Sequence, residues 1–387
     1  MTATRAVPAP PASGWRVPFV RPDLPSFDDV EPAFRRILAG GMLTKGTELS
    51  RLEADARAVT GAADVVAVSS CTVGLALGLR ALGRMQADPA RREVIVPSFT
   101  FLAAPAAVIW AGYEPVFIDS EADTWTVSPA AVAAAITPRT AAILACHTFG
   151  CPCDEAGLAA LAAAAGVPLM IDAAHGLGTR FAGRQVGGTG FAQVFSMSPT
   201  KLVVAGEGGL VATSSPAFAA LLRQLREYGN AGDYVCEEPG LNGRLPELSA
   251  ALARASLERL PEVAARRRAA VAAYLDVLEG APGLAFQRVP AGGESSWKDF
   301  SITVEPRAFG ATRDAVRTRL AARGVESRAY YSPPCHRMPA FSRHHPADRP
   351  LAVTDGLAAG SLALPLGAHV TPAVARMVAN EVLGCRA

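Results

Sequence analysis

The sequence predicts an α/β protein with a large domain built on a mixed, mostly parallel sheet and a smaller α+β C-terminal domain. Three observations carry this. The chain has 387 residues, half of them hydrophobic, which is more than one small core needs and enough for two. From about Val65 to Glu227, short β-branched runs alternate with Ala- and Leu-rich helical stretches, the pattern of a parallel sheet covered on both faces. After a Gly- and Pro-rich stretch, Gly229 to Pro246, the pattern changes to long helices with few strands.

Taken in order, residues 1–14 are Ala- and Pro-rich and read as a disordered tail without the apolar core of a secretory signal. The large domain, 15–255, has strands at Val65–Val68, Val94–Val96, Pro115–Ile118, Ala142–Ala145, Pro168–Ile171, Val194–Ser196 and Leu210–Thr213. A helical segment from Glu247 to Leu278, running through Pro261, bridges into the small domain, 256–387. There the pattern predicts strands at Phe300–Val304 and Ser327–Tyr331 and helices at Thr312–Arg323, Leu351–Ala359 and Pro372–Leu383.

Net charge is +2, and the arginines are scattered, so nucleic acid and anionic membrane are poor partners and a small molecule is the better one. The most apolar stretch, Leu158 to Ile171, is broken by Gly166 and Pro168 and falls short of a membrane span. The reading is a soluble, cytoplasmic protein. Seven cysteines at irregular positions read as free thiols. Cys151-Pro152-Cys153 lacks the spacing and companion ligands of a zinc site, so no metal is expected.

The most informative residue is a lysine. Of 37 basic residues only Lys45, Lys201 and Lys298 are lysines, so arginine serves wherever a plain positive charge would do. An amine that must lose its proton and attack a carbonyl cannot be arginine. Lys201 follows the strand ending at Ser196 and precedes Gly206-Glu207-Gly208-Gly209, a turn that holds it in a short loop at the sheet edge where ligands gather.

Two further features stand at the same edge. Asp172 closes the run Val167–Ile171, where a carboxylate can keep a pyridine nitrogen protonated; an Asp after a strand serves equally as a helix cap. Ser69-Ser70-Cys71-Thr72, between a strand and the helix starting at Val73, offers hydroxyls and backbone N–H groups to a phosphate, or simply caps that helix. Ser196 is placed to add a hydroxyl to the same phosphate.

These pieces fall in a series. Ser70-Cys71-Thr72 is followed by Val96-Pro97-Ser98-Phe99-Thr100-Phe101, Pro115 to Asp119, Ile136 to Thr140, Asp172 to His175, Phe195-Ser196 with Lys201 and Gly206 to Gly209, Asn242-Gly243-Arg244, and Tyr331 with Pro333, Pro334 and His336. In this order they resemble the DegT/DnrJ/EryC1/StrS aminotransferases, fold-type I enzymes of the aspartate-aminotransferase type that use pyridoxal 5'-phosphate.

The resemblance implies roles residue by residue. Ser70, Cys71, Thr72, Val73 and Ser196 would bind the cofactor phosphate, and Phe101 would stack on its ring. Asp172 would hold the ring nitrogen, His175 would contact the ring hydroxyl, and Lys201 would condense with the aldehyde. Asn242 would reach the phosphate from a second subunit, which implies a homodimer with shared sites. Cys71 stands where the family has glycine, and Ile171 where it has an acidic residue. The substrates implied are an amino-acid donor, L-glutamate, and a sugar nucleotide. Asp-Ala-Ala-His and Ser-Pro-Thr-Lys resemble a branch that aminates C4 of dTDP-4-keto-6-deoxyhexoses. A C3-ketosugar or a cyclitol ketone would use the same catalytic residues. A dehydratase or a non-catalytic regulator would be expected to have lost Lys201 or Asp172, and both are present. Arg244, Arg328, Tyr331 and His336 are the candidate substrate contacts.

Overall fold

The computed structural model describes residues 14–86 and 88–386. The expected tail at 1–14 therefore lies, apart from Gly14, outside the described residues. Seven strands form the main sheet: β1 (Asp64–Val68), β2 (Glu93–Pro97), β3 (Glu114–Ile118), β4 (Thr140–Cys146), β5 (Leu169–Ala173), β8 (Ala192–Ser196) and β9 (Gly209–Thr213). Between β5 and β8 a small hairpin is made by β6 (Arg180–Phe181) and β7 (Arg184–Gln185). The order across the main sheet is β1-β9-β8-β5-β4-β2-β3. β9 alone runs against its neighbours, and the other pairings are parallel. The carboxyl ends of six strands therefore share one edge, and the amino end of β9 joins them there, with Gly209 opposite both Val68 and Ser196.

Both faces of the sheet are covered. One core gathers Val65, Ile95, Ile143, Ile171 and Leu210 with the surrounding helices; the other gathers Val66, Val94, Leu144, Met170 and Val211 with the helix Cys71–Met85. That burial on both sides is why the strands read as unbroken apolar runs. The helix Cys71–Met85 can lie close to the sheet because it carries glycine at the contact points. A Cβ on Gly74 would stand 2.8 Å from Val194, and one on Gly78 would stand 2.7 Å from Met170.

The C-terminal region builds a second sheet from β10 (Leu284–Phe286), β12 (Phe300–Val304) and β13 (Ser361–Leu364), in the order β10-β12-β13; β11 (Gly293–Glu294) joins the hairpin instead. Its core packs Tyr274, Phe300, Ile302, Leu320, Leu362 and Val378. Val17 lies in this core and bridges to Val325, although its sequence position falls in the segment assigned to the large domain.

Two expectations are corrected. The helix from Glu247 to Leu278 is two helices, Glu247–Glu258 and Leu260–Leu278, because Pro261 has no N–H to continue the first and is suited to the opening turn of the second. Ser327–Tyr331 is not a strand. Only Arg328 pairs, exchanging hydrogen bonds with Ala363, and the chain then turns so that Tyr331 enters an aromatic cluster with Phe99, Trp125 and Phe149. Burying that ring outweighs extending a ladder at a sheet edge. β13 carries no periodic signal, because its apolar residues are only Leu362, Ala363 and Leu364.

Ties between the two regions are specific. Asp119, just after β3, accepts the backbone N–H groups of Val353 (3.0 Å) and Thr354 (2.7 Å) and so caps the helix Ala352–Gly360 from outside. Ser98 Oγ lies 2.6 Å from His336 Nδ1, and His336 Nε2 lies 3.3 Å from Asp355.

Gly209 is the position where the sheet edge tolerates least: a Cβ there would stand 2.6 Å from the carbonyl carbon of Ser70 and 2.7 Å from the Cys71 nitrogen. Gly209→Ala is expected to cost about 1–3 kcal/mol by forcing backbone apart. Gly356, in the helix Ala352–Gly360 with nothing within 4 Å of its added Cβ, should gain about 0.5–1 kcal/mol on change to Ala. Urea denaturation of the two variants beside the parent checks both signs.

Candidate active site

The shared strand edge brings together a loop, a carboxylate and an amine. After β1 the chain enters the helix Cys71–Met85 with Ser70 as its cap, the Ser70 hydroxyl accepting from Val73 N at 3.2 Å. Thr72 is exposed in the first turn and Val73 half-buried. The loop is fixed from behind, since Ser69 N donates to the Gly243 carbonyl at 2.8 Å. Ser196, at the end of β8, is buried beside this edge, its hydroxyl accepting from Ser198 N at 3.4 Å.

Lys201 sits in the β8–β9 connection, which is closed on itself. Met197 N donates to Gly208 O, Ala205 N to Met197 O, and Lys201 N to Ser198 O, while Val204 N is held by Ser256 Oγ at 2.9 Å. Burial, and after it the nearby charge of Lys298, pulls the Lys201 ammonium down to about 8. A sizeable fraction of this amine is thus uncharged near neutral pH, which a nucleophilic amine requires.

Asp172 is part of β5, paired beside Cys146 and Val194. Burial raises its carboxyl, opposed by a hydrogen bond from Ala174 N and by the charge of Lys201. Cys71 Sγ stands 3.8 Å from Asp172 Oδ1 and 3.5 Å from Val194 O. Burial and the Asp172 charge push that thiol well up, so Cys71 packs as a neutral group at the site's floor. The position adopts helical backbone rather than the left-handed region, so a side chain in place of glycine fits there.

His175 follows three residues on. Its Nδ1 accepts from Phe149 N at 3.1 Å, which leaves Nε2 to carry the proton, and burial depresses its pKa well below the ordinary value. It is a neutral donor. Its ring stacks on Phe149 at 6.4 Å, and Phe149 stacks on Tyr331 at 5.3 Å. Phe149 is fully buried with φ 58°, a conformation that costs a bulky residue on the order of 1–3 kcal/mol and that surrounding packing must impose.

The remaining candidates divide. Phe101 lies just before the helix Ala103–Trp110 with half its surface free, open to a planar ligand. Tyr331 is in the aromatic layer. His336 is buried with Ser98 Oγ at its Nδ1, and the half-buried Asp355 carboxylate lies 3.3 Å from its Nε2. Arg328 is turned onto Glu326 and the Phe19 ring. Arg244 pairs with Glu227 at 3.0 Å and lies over Tyr228, and Asn242 beside it is exposed. Sequence reasoning missed Phe149, whose only signal was the adjacent Gly150, and assigned nothing to Lys298 and Asp299. Among the described residues no cluster of three or more His, Cys, Asp or Glu is placed to hold a metal ion, and no helix is long and apolar enough to cross a membrane.

The family model of the DegT/DnrJ/EryC1/StrS aminotransferases matches residues 28–383. The chain belongs to that family. It is 38% identical over 344 residues to the erythromycin biosynthesis sensory transduction protein EryC1 of Saccharopolyspora erythraea, covering 89% of this chain and 91% of that one. It is 36% identical over 355 residues to a dTDP-3-amino-3,4,6-trideoxy-alpha-D-glucose transaminase of Streptomyces venezuelae, covering 92% and 91%. The structure of DesI in the presence of its TDP-sugar product superposes with a TM-score of 0.88 at 35% identity, covering 95% and 92%. This DegT-family chain is therefore a pyridoxal-phosphate-dependent aminotransferase.

The residues present fit that cofactor. Asp172 Oδ2 accepts no hydrogen bond among the described residues, and its one backbone partner is on Oδ1, so a buried carboxylate is left with capacity for a protonated ring nitrogen. Lys201→Ala should abolish the visible absorbance of the purified protein and its turnover, with a melting temperature close to the parent's. A borohydride-stable adduct surviving in that variant would overturn the assignment of Lys201.

Proposed function

We propose that the chain moves an amino group from L-glutamate to a nucleotide-linked ketosugar, dTDP-4-keto-6-deoxyhexose at C4, within deoxyaminosugar and antibiotic biosynthesis. The observation that carries the reading is Lys201, half-buried, whose desolvated amine is held down to about 8 in a closed loop at the same edge as Asp172. Pyridoxal phosphate, when bound, supplies the electron sink for the carbon that loses its proton.

Each residue then has one task. Lys201 would hold the cofactor by its aldehyde and, with its amine free, would take and return the proton at the substrate carbon in each half of the exchange. Asp172 would keep the proton on the ring nitrogen. His175, neutral with its proton on Nε2, would donate to the ring oxygen. Ser70, Cys71, Thr72, Val73 and Ser196 would hold the phosphate, and Phe101 would stack on the ring. Asn242 serves the phosphate of a second subunit; its exposure, together with exposed Tyr228, Tyr234, Val235 and Leu241 near it, supports a homodimer.

The names of the relatives support a sugar nucleotide as acceptor. Asp172-Ala173-Ala174-His175 and Ser198-Pro199-Thr200-Lys201 support C4. A second reading, amination at C3, is favoured by the dTDP-3-amino sugar in the name of the Streptomyces venezuelae transaminase. Incubation with dTDP-4-keto-6-deoxyglucose and glutamate, followed by mass spectrometry and NMR, should give a sugar aminated at C4. An amine at C3, or no aminated sugar, refutes the C4 assignment.

Sharing of the site is tested by mixing. A heterodimer of Lys201→Ala and Asn242→Ala chains contains one site with both residues only if Asn242 acts across the interface, so part of the activity should return. If Asn242 serves its own chain, whose phosphate loop its neighbour Gly243 already touches, every site lacks one residue and verified subunit exchange restores nothing.

A further inference from the structure

Behind the His175–Phe149 layer lies a second buried lysine with no part in the scheme above. Lys298 is 5% exposed, and its Nζ is 2.8 and 3.0 Å from the two oxygens of Asp299, itself 3% exposed. The segment that carries them is clamped on each side. Lys298 N donates to Phe149 O at 3.1 Å, Lys298 O accepts from Arg267 at 2.7 Å, and Ser296 Oγ donates to His175 O at 2.7 Å. The ion pair is thus built onto the wall of the site rather than onto the surface.

Both members of the pair act on Lys201, and in opposite senses. Lys298 favours the neutral amine and Asp299 favours the ammonium. The other groups facing Lys201 are Asp172 and Cys71, which favour the ammonium, and His175 and Cys146, whose own protonation feels the Lys201 charge. Lys298 is the largest of the neighbouring charges in its effect on Lys201. Without it, Asp299 would be a buried carboxylate lacking its bidentate partner, which is strongly unfavourable. The Lys201 ammonium, already within its field, is then drawn to it.

We propose that Lys298 is a positioning residue that occupies Asp299 and thereby leaves the Lys201 amine free to shed its proton and to move between cofactor and substrate. This rests on Lys201 being the reactive lysine.

The test reads the protonation of Lys201 directly, by competitive acetic-anhydride labelling of the cofactor-free full-length chain across pH with mass spectrometry of the Lys201 peptide. The parent midpoint should fall near 8, as the buried amine requires. Lys298→Met should raise it by about one unit, an approximately tenfold loss of free amine at neutral pH. Lys298→Arg, which keeps the charge, and the double variant Lys298→Met/Asp299→Asn, which removes both charges, should return it to near the parent value. Asp299→Asn alone should place it at or below the parent. In the loaded enzyme the pH midpoint of the visible band should move in the same directions. An unchanged midpoint in Lys298→Met, or a double variant as elevated as the single, overturns the proposal. Should Lys298→Met fail to fold, a raised midpoint in Asp299→Asn overturns it equally. Failure of Lys201 to bind cofactor at all would appear separately, as absence of the visible band in the parent.

Discussion

The site exists because two stretches of backbone touch where no side chain can stand. Gly209 begins the single strand that runs against the sheet, and it rests on the peptide between Ser70 and Cys71 at a distance shorter than any Cβ contact. That contact sets the loop after β1 beside the β8–β9 connection, so the expected phosphate cradle and Lys201 are fixed relative to one another by main chain. Gly74 and Gly78 extend the same constraint along the helix, pressing it onto Val194 and Met170. Everything else in the site is arranged around an edge whose spacing is decided there.

Once the edge is set, burial does the electrostatic work. The same desolvation that lowers the Lys201 ammonium also neutralises His175 and raises Asp172. In water these groups would be charged lysine, largely neutral histidine and charged aspartate. Inside the site the imidazole stays neutral, the amine gains a free fraction near neutral pH that it lacks in water, and the carboxylate is left seeking a cationic partner. The aromatic layer of His175, Phe149 and Tyr331 excludes water from behind, and the left-handed backbone of Phe149 is what lets its ring lie flat against both neighbours.

Much of the large sheet was legible because strands buried on both faces leave unbroken apolar runs, and because the chemistry of Lys201 and Asp172 depends on residue type and strand-end position. What stayed hidden was whatever depends on distant partners. Phe149 carries no mark of its conformation apart from Gly150. Lys298 and Asp299 look like an ordinary solvated pair until the fold buries them. Ser327–Tyr331 has the composition of a strand, yet the aromatic cluster claims its tyrosine. The helix through Pro261 failed for a local reason, the missing N–H, that the sequence did display. His336 is buried against Ser98, whose Oγ lies 2.6 Å from its Nδ1, a partner far away in sequence that the residue type alone does not announce.

Val17 offers a consequence for biosynthesis. Its N–H donates to Gly324 O, its carbonyl accepts from Glu326 N, and Phe19 N is held by the Glu326 carboxylate at 2.8 Å. Val17 and Phe19 thus dock on a segment made more than three hundred residues later. Folding in order of synthesis, the usual course for multidomain chains, can complete the main sheet but not the C-terminal core, which cannot close over Val17 until Val325 and the strands around it have been made. Until then Val17 and Phe19 lack the partners that hold them in the finished molecule.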